Sequence, residues 1–408
     1  MPPYYDIKEK TKVNKKNIRK GVLKGQILIF VLRNIIKPPA VRILKFTDKE
    51  HKIKDQPYIV FANHSDAIDP AYILKTMRRY VRFVMSDHVM RMGIVGKLYK
   101  FIDSPIIFER EKGTDVLYKE IVENIRAGVN VAMYPEGGIT STGETGYISK
   151  RNATLVKECD CTLVTYRGKG GYLKKPRWAK NKRKGPISGE VVNVYTKEQI
   201  RAMSEDELYK HICEDLYFNC YEEQHKNPHE YITEDPAEYA EIILYGCPKC
   251  KTAGNLKTKC DKIFCTCGFE ATVDNYGLWH SDDMDFDNIV DWDKFQKKRL
   301  KDMADAKRGT PDEVFSDDKQ MIYTVEETAG TLISENGSVN LYGDRVEIVT
   351  EKEIISIPIN EISSVKTSSK MNLLLITSKG YFEIRSPYPR SATKYIVAIR
   401  YLQGKENR

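Results

Sequence analysis

The stretch that most constrains this chain is Tyr58-Ile59-Val60-Phe61-Ala62, an unbroken apolar run that meets Asn63-His64-Ser65-Asp66-Ala67-Ile68-Asp69-Pro70 with no spacer. Apolar residues at every position, not every second one, describe a strand covered on both faces. A helical pattern begins at Pro70, so His64 sits on a strand-to-helix turn. If the segment were helical, His64 and Asp69 would stand about 140° apart around the axis, so only a loop that doubles back can bring them together. Asp69 is then expected at the helix N-cap, with Pro70 at the first helical position. A carboxylate there can orient the imidazole, as a general base needs in order to take a proton from a hydroxyl. On this stretch alone, a capping Asp beside an ordinary loop histidine is the reading to prefer.

The order of the downstream motifs narrows the choice. Pro105-Ile106-Ile107-Phe108-Glu109-Arg110 comes next, then Tyr134-Pro135-Glu136-Gly137-Gly138, then a Gly- and Lys-rich segment ending in Pro176-Arg177-Trp178. Over roughly residues 55–225 this series resembles the glycerolipid acyltransferases of the lysophosphatidic acid acyltransferase type. The resemblance implies a catalytic His64 and Asp69, and substrate contacts from Asn63, Glu109, Arg110, Glu136 and Gly137. It also implies that Arg110 holds the glycerol phosphate of the acceptor, a role that suits a guanidinium fork. Glu136 would orient the acceptor or brace the arginine. Tyr134, Gly138 and Ile139 depart from the family's usual FPEGTR, which removes any side-chain role at Ile139. Ser104 and Ile107 likewise replace the usual Gly and Phe.

From Tyr58 onward strands and helices alternate, with strands expected at 81–85, 104–108, 129–133, 162–166 and 189–195. Helices are expected at 92–102, 114–127 and 150–158, and from the Ser204/Glu207 capping box to about Gln224. This is an α/β domain with a mostly parallel sheet and helices on both faces. In such sheets His64, Arg110 and Glu136, each just past a strand, converge at the carboxyl edge.

A chain of 408 residues exceeds one core. The expected division is a basic arm at 1–46, the acyltransferase domain at 47–235, a zinc ribbon at 240–276, an acidic linker at 277–325 and a PH-like β module at 326–408. The arm has twelve Lys/Arg against Asp6 and Glu9, so it holds the excess of the +9 chain. Leu23 to Ile36 is mostly apolar, yet at about 21 Å of helix it is too short to span a bilayer. It can lie in an anionic membrane interface or pack on the protein's own core. No signal peptide is expected, since the first twenty residues hold many lysines and no apolar core. These features place the protein peripherally on the cytoplasmic side of the cell membrane.

Residues 167–184 hold nine Lys/Arg and no acid, interleaved with Tyr172 and Trp178. They read as a substrate-access or membrane-contact surface, or as a solvated charge run. Cys247-Pro248-Lys249-Cys250 and Cys265-Thr266-Cys267 supply four thiolates for structural Zn2+, with Cys260 as a spare and disulfides as the alternative. From Gly330, short β segments broken at Asn336-Gly337, Tyr342-Gly343-Asp344 and Lys379-Gly380 lead to a final helix, 391–402, that buries Tyr395, Ile399 and Leu402. The resemblance implies transfer of a fatty acyl group from acyl-CoA or acyl carrier protein to lysophosphatidic acid, with no catalytic cofactor. A different lysolipid acceptor remains an alternative. So does a basic zinc-ribbon nucleic-acid-binding protein, although no nucleic-acid partner is expected, because the basic segments flank apolar stretches and not a recognition helix.

Overall fold

A computed structural model describes residues 23–27, 46–47, 51–77, 79–86, 105–109, 113–326, 329–368 and 370–405. The helix expected at 92–102 lies outside them. The chain divides into two compact units, the first built mainly from the residues up to 220, the second from 175–184 and 221 onward.

In the first unit, in chain order, the elements are β1 (Phe46–Thr47), β2 (Tyr58–Ala62), α1 (Asp69–Thr76), β3 (Arg82–Ser86), β4 (Ile106–Phe108), α2 (Gly113–Arg126) and β5 (Val131–Met133). They continue with α3 (Arg151–Cys159), β6 (Thr162–Lys169), α4 (Gly171–Lys174), β7 (Ile187–Tyr195), α5 (Lys197–Ala202) and α6 (Glu205–Leu216). The strands form one sheet in the order β1-β7-β6-β2-β5-β3-β4. Strands β6, β2, β5, β3 and β4 are mutually parallel, and β7 turns back antiparallel on β6.

Strand β2 is buried along its whole length and divides its side chains between two cores. Ile59 and Phe61 pack with Leu117, Ile121 and Ile125 of α2, Leu155 and Val156 of α3, and Leu208 and Ile212 of α6. Tyr58, Val60 and Ala62 pack on the other face with Ile73 of α1. Each such buried side chain contributes roughly 1.5–3 kcal/mol relative to exposure. That two-sided burial is why this strand shows no polar alternation.

Helix α6 begins with the expected capping box: the Glu207 N–H donates to Ser204 Oγ (3.2 Å) and the Ser204 N–H to Glu207 Oε2 (2.8 Å). It does not run on to Gln224. Thr145 donates its hydroxyl to the Leu216 carbonyl and accepts from the Phe218 N–H, both at 2.9 Å, so the helix ends at Leu216. A separate helix, α7 (Cys220–Lys226), comes after it.

The second unit contains a four-stranded sheet, β8 (Leu256–Lys259), β9 (Lys262–Cys265), β10 (Glu270–Val273) and β11 (Trp279–His280). Next come helix α8 (Ile289–Lys307) and strands β12 (Glu313–Glu326), β13 (Ala329–Tyr342), β14 (Arg345–Val349), β15 (Ile354–Pro358), β16 (Ile362–Ser368), β17 (Asn372–Thr377) and β18 (Gly380–Arg385). These seven strands make an antiparallel sheet in the order β15-β14-β13-β12-β18-β17-β16, and α9 (Thr393–Leu402) ends the unit. Tyr395 and Ile399 are buried as expected, while Leu402 is half-buried.

Two expectations are corrected by this architecture. The acidic linker at 277–325 is an ordered segment, because the acidic run hides a helical stripe: Trp292, Gln296, Leu300 and Ala304 recur every four residues and are buried on α8. The Trp292 indole donates to the Gly246 carbonyl (2.8 Å), and Gln296 Oε1 accepts from the N–H groups of Tyr245 and Gly246. Strand β12 then belongs to the β module, placing Phe315 and Ile322 in its core. Asn336-Gly337 is likewise not a turn but lies within β13, at an irregularity in its pairing with β12. A Cβ on Gly337 would meet Ile322 Cδ1 at 2.3 Å and the Val349 carbonyl at 2.5 Å, so glycine is needed there for close packing.

Candidate active site and metal centre

Because β2, β5, β3 and β4 are parallel, the residues at their carboxyl ends share one edge of the sheet. His64 comes after β2, Glu136 after β5 and Glu109 after β4.

The His64 Nδ1 lies 2.9 Å from Asp69 Oδ2. The same oxygen accepts the N–H groups of Ser65 (2.7 Å) and Asp66 (2.9 Å), and the Ser65 hydroxyl reaches the other oxygen at 3.3 Å. Asp69 is therefore not the N-cap. Ile68 holds that position with no side-chain cap, and Asp69 is the first helical residue, its carboxylate turned back into the loop. Since a carboxylate only accepts, the imidazole proton sits on Nδ1 and leaves the Nε2 lone pair available. The His64 side chain retains 17% exposure and that of Asp69 7%, so the base meets solvent and its orienting group does not.

Three further contacts fix the histidine. The Tyr134 ring stacks on the imidazole with centroids 3.9 Å apart and planes 13° from parallel. Glu136 Oε1 accepts the His64 N–H (2.7 Å) while Oε2 accepts the Gly146 N–H (2.6 Å). The His64 carbonyl accepts from the Thr140 N–H at 2.9 Å. Burial pushes the Glu136 carboxyl above its ordinary range, partly offset by the N–H groups of Gly146 and His64. The expectation that Glu136 contacts the acceptor is thus replaced by a brace, because both its oxygens are engaged with backbone.

Asn63 is corrected in the same way. Its amide donates to the Gly168 carbonyl (3.0 Å) and accepts the Gly168 N–H (2.7 Å), a reciprocal clamp at a buried position that ties the loop to β6. Gly171 seats the loop from below, since a Cβ there would meet Ser65 Oγ at 2.3 Å. At Gly137 (φ +72°) and Gly138 nothing lies within 4 Å of an added Cβ, so this backbone faces open space. Glu109 is half-buried three strands from β2, about 14 Å along the sheet at the usual spacing. Arg110, the expected phosphate ligand, lies outside the described residues.

In the basic segment 167–184, Arg177, Lys180, Lys182 and Lys184 are exposed, whereas the interleaved aromatic residues and Arg183 are buried. Tyr172 in the first unit and Trp178 in the second are core residues, and in the second unit Arg183 lies over the Trp178 ring at 5.5 Å and donates to the Pro236 carbonyl at 2.8 Å. Aromatic character at these positions signals packing, not stacking on a ligand.

Residues 43–167, which hold this arrangement, match the model of the Acyltransferase family. This region is an acyltransferase domain. No curated protein matches the chain. Among solved structures, the 1-acyl-sn-glycerophosphate (LPA) acyltransferase PlsC from Thermotoga maritima is 16% identical, with 50% of this chain and 81% of that one covered and a TM-score of 0.37. The Vps36 N-terminal PH domain is 13% identical over 23% of this chain and 80% of that one, at a TM-score of 0.19. Within the acyltransferase domain, an imidazole with a free Nε2 beside open glycine backbone can deprotonate a hydroxyl that attacks an acyl carbonyl.

In the second unit the Sγ atoms of Cys247, Cys250, Cys265 and Cys267 all lie within 4.8 Å of one another. Two of the separations, Cys247–Cys267 at 3.6 Å and Cys250–Cys265 at 3.8 Å, match the ~3.8 Å edge of a tetrahedron with Zn–S bonds of about 2.3 Å. The single residue between Cys265 and Cys267 does not prevent both from reaching the centre. The spare, Cys260, is exposed at φ +56° and takes no part. Burial opposes ionisation of Cys250, but the Thr252 hydroxyl and N–H and the neighbouring thiols outweigh it, bringing that thiol down to about 7. Burial holds the Cys247 and Cys265 thiols above their usual range, so it is the spacing of the four sulfurs that fits a thiolate-bound metal.

Proposed function

We propose that this protein is a membrane-associated 1-acylglycerol-3-phosphate O-acyltransferase that makes phosphatidic acid for phospholipid synthesis. His64 Nε2 takes the proton from the free hydroxyl of the acceptor as its oxygen attacks the thioester carbonyl of acyl-CoA or acyl carrier protein. The tetrahedral oxyanion collapses, the C–S bond breaks, and the leaving thiolate is protonated by the imidazolium. Asp69 holds the tautomer and offsets the developing positive charge. Arg110 is assigned the acceptor's phosphate from its place in the sequence and its fork geometry. The carrying observation is the 2.9 Å contact between the His64 ring and a carboxylate that has no capping role.

Structural zinc on the four cysteines holds together a region too small to sustain a core alone. The basic arm seats the protein peripherally on the cytoplasmic face of the membrane. In keeping with that seating, Leu23 and Ile27 are 63% and 57% exposed one helical turn apart. Among the described residues no helix is long and apolar enough to cross a membrane.

The test is turnover by the purified full chain of lysophosphatidic acid, lysophosphatidylcholine and monoacylglycerol with each donor. Phosphatidic acid from lysophosphatidic acid is the expected product; turnover of another acceptor with none of lysophosphatidic acid contradicts the assignment.

A further inference from the structure

Tyr134 directly follows β5, which pairs in parallel with β2 so that Phe61 lies opposite Met133. The register therefore carries Tyr134 alongside the turn that bears His64. The chain then folds back, the Gly137 N–H donating to the Tyr134 carbonyl at 3.0 Å, and this one turn holds the histidine twice. Glu136 accepts its N–H, while the Tyr134 ring covers a face of the imidazole at 3.9 Å and 13° from parallel. The first contact fixes only backbone; the second bears on the charge of the ring. A cation over the π face of a tyrosine is attracted by the ring quadrupole, whereas a neutral imidazole gains far less there. The stack thus favours the protonated ring and opposes its rotation away from Asp69.

We propose that Tyr134 is a positioning residue for acyl transfer: its ring holds the imidazole plane against Asp69 and stabilises the imidazolium that forms when Nε2 takes the hydroxyl proton. This inference rests on the reaction proposed above. It adds a second source of charge stabilisation, on the face of the ring, to the one Asp69 supplies at its edge.

NMR titration of the full chain with isotope-labelled histidine tests it, the His64 resonance being identified by its loss in His64→Ala. Tyr134→Leu keeps apolar bulk on the ring and removes the π face; Tyr134→Phe keeps both. Asp66, Asp69 and Glu136, the carboxylates of the loop and of the elements packed on it, are present in both variants. The His64 midpoint is expected to fall by about 0.5 to 1.5 pH units in Tyr134→Leu and to stay close to the wild-type value in Tyr134→Phe. In acyl transfer to lysophosphatidic acid, Tyr134→Leu should lower kcat about 2- to 30-fold with a nearly unchanged acceptor KM, and should move the acid limb of the pH profile to lower pH. Tyr134→Phe should restore both. A midpoint that stays in place in Tyr134→Leu while the melting temperature falls would make Tyr134 a packing residue and overturn the proposal, as would a displaced midpoint with wild-type kcat. A wild type that turns over no lysolipid contradicts the proposed reaction instead, and the midpoint still reports whether the stack favours the charged ring.

Discussion

The Asp69 carboxylate meets the His64 ring at 2.9 Å and caps no helix, although it stands in the first turn of α1. A carboxylate with that position would ordinarily bond the helix's own exposed N–H groups. In this turn the loop N–H groups of Ser65 and Asp66 direct it toward the imidazole.

Asp69→Asn should therefore leave α1 intact while turnover falls steeply. An amide can present its NH2 to His64 Nδ1, which favours the other tautomer and puts the proton on Nε2. Parallel measurement of kcat and melting temperature separates the roles: loss of stability with normal kcat would make Asp69 merely structural.

Glu136→Gln tests the brace. Glutamine has one acceptor oxygen for two converging N–H groups, so one of the His64 and Gly146 amides loses its partner. A destabilisation of about 1–3 kcal/mol is expected with a reduced kcat and a nearly unchanged KM for the acceptor. A rise in acceptor KM alone would return Glu136 to substrate binding.

For the cysteine cluster, metal analysis of freshly purified protein should find one zinc per chain. Cys247→Ser and Cys250→Ser should each lose it and Cys260→Ser should not. Protein without metal, or loss of metal in the Cys260 variant, contradicts the four-cysteine assignment.

Arg110→Lys should lower kcat/KM for phosphorylated acceptors and Arg110→Ala should lower it further, by about 10- to 150-fold, as a charged hydrogen bond of ~1.5–3 kcal/mol implies. A phosphate-free acceptor should be turned over equally by wild type and Arg110→Ala. An equal fall on both acceptors would make Arg110 structural.

The strand-to-helix turn was legible because β2 is buried on both faces, which leaves an unbroken apolar run, and because His64 and Asp69 are close in sequence. The Ser204 capping box and the cysteine pairs were legible for the same local reason. The roles of Asn63 and Glu136 were not, since their partners are backbone groups of Gly168, His64 and Gly146, which no side-chain pattern reports. Tyr134 carried one signal, its place directly after β5 where the acyltransferase resemblance has Phe, yet its stacking on His64 depends on sheet order. The segment read as a linker misleads through composition: Asp291, Asp302 and Asp305 of α8 are exposed around a buried stripe headed by Trp292.

The most direct test of the account is single-turnover acyl transfer to lysophosphatidic acid by His64→Ala, with folding checked by melting temperature. A partly exposed loop imidazole contributes little to stability, whereas a general base contributes about 10² to 10⁴ in rate. The account predicts a folded protein whose transfer rate has fallen by that factor. A folded variant that transfers acyl groups at close to the wild-type rate would contradict it.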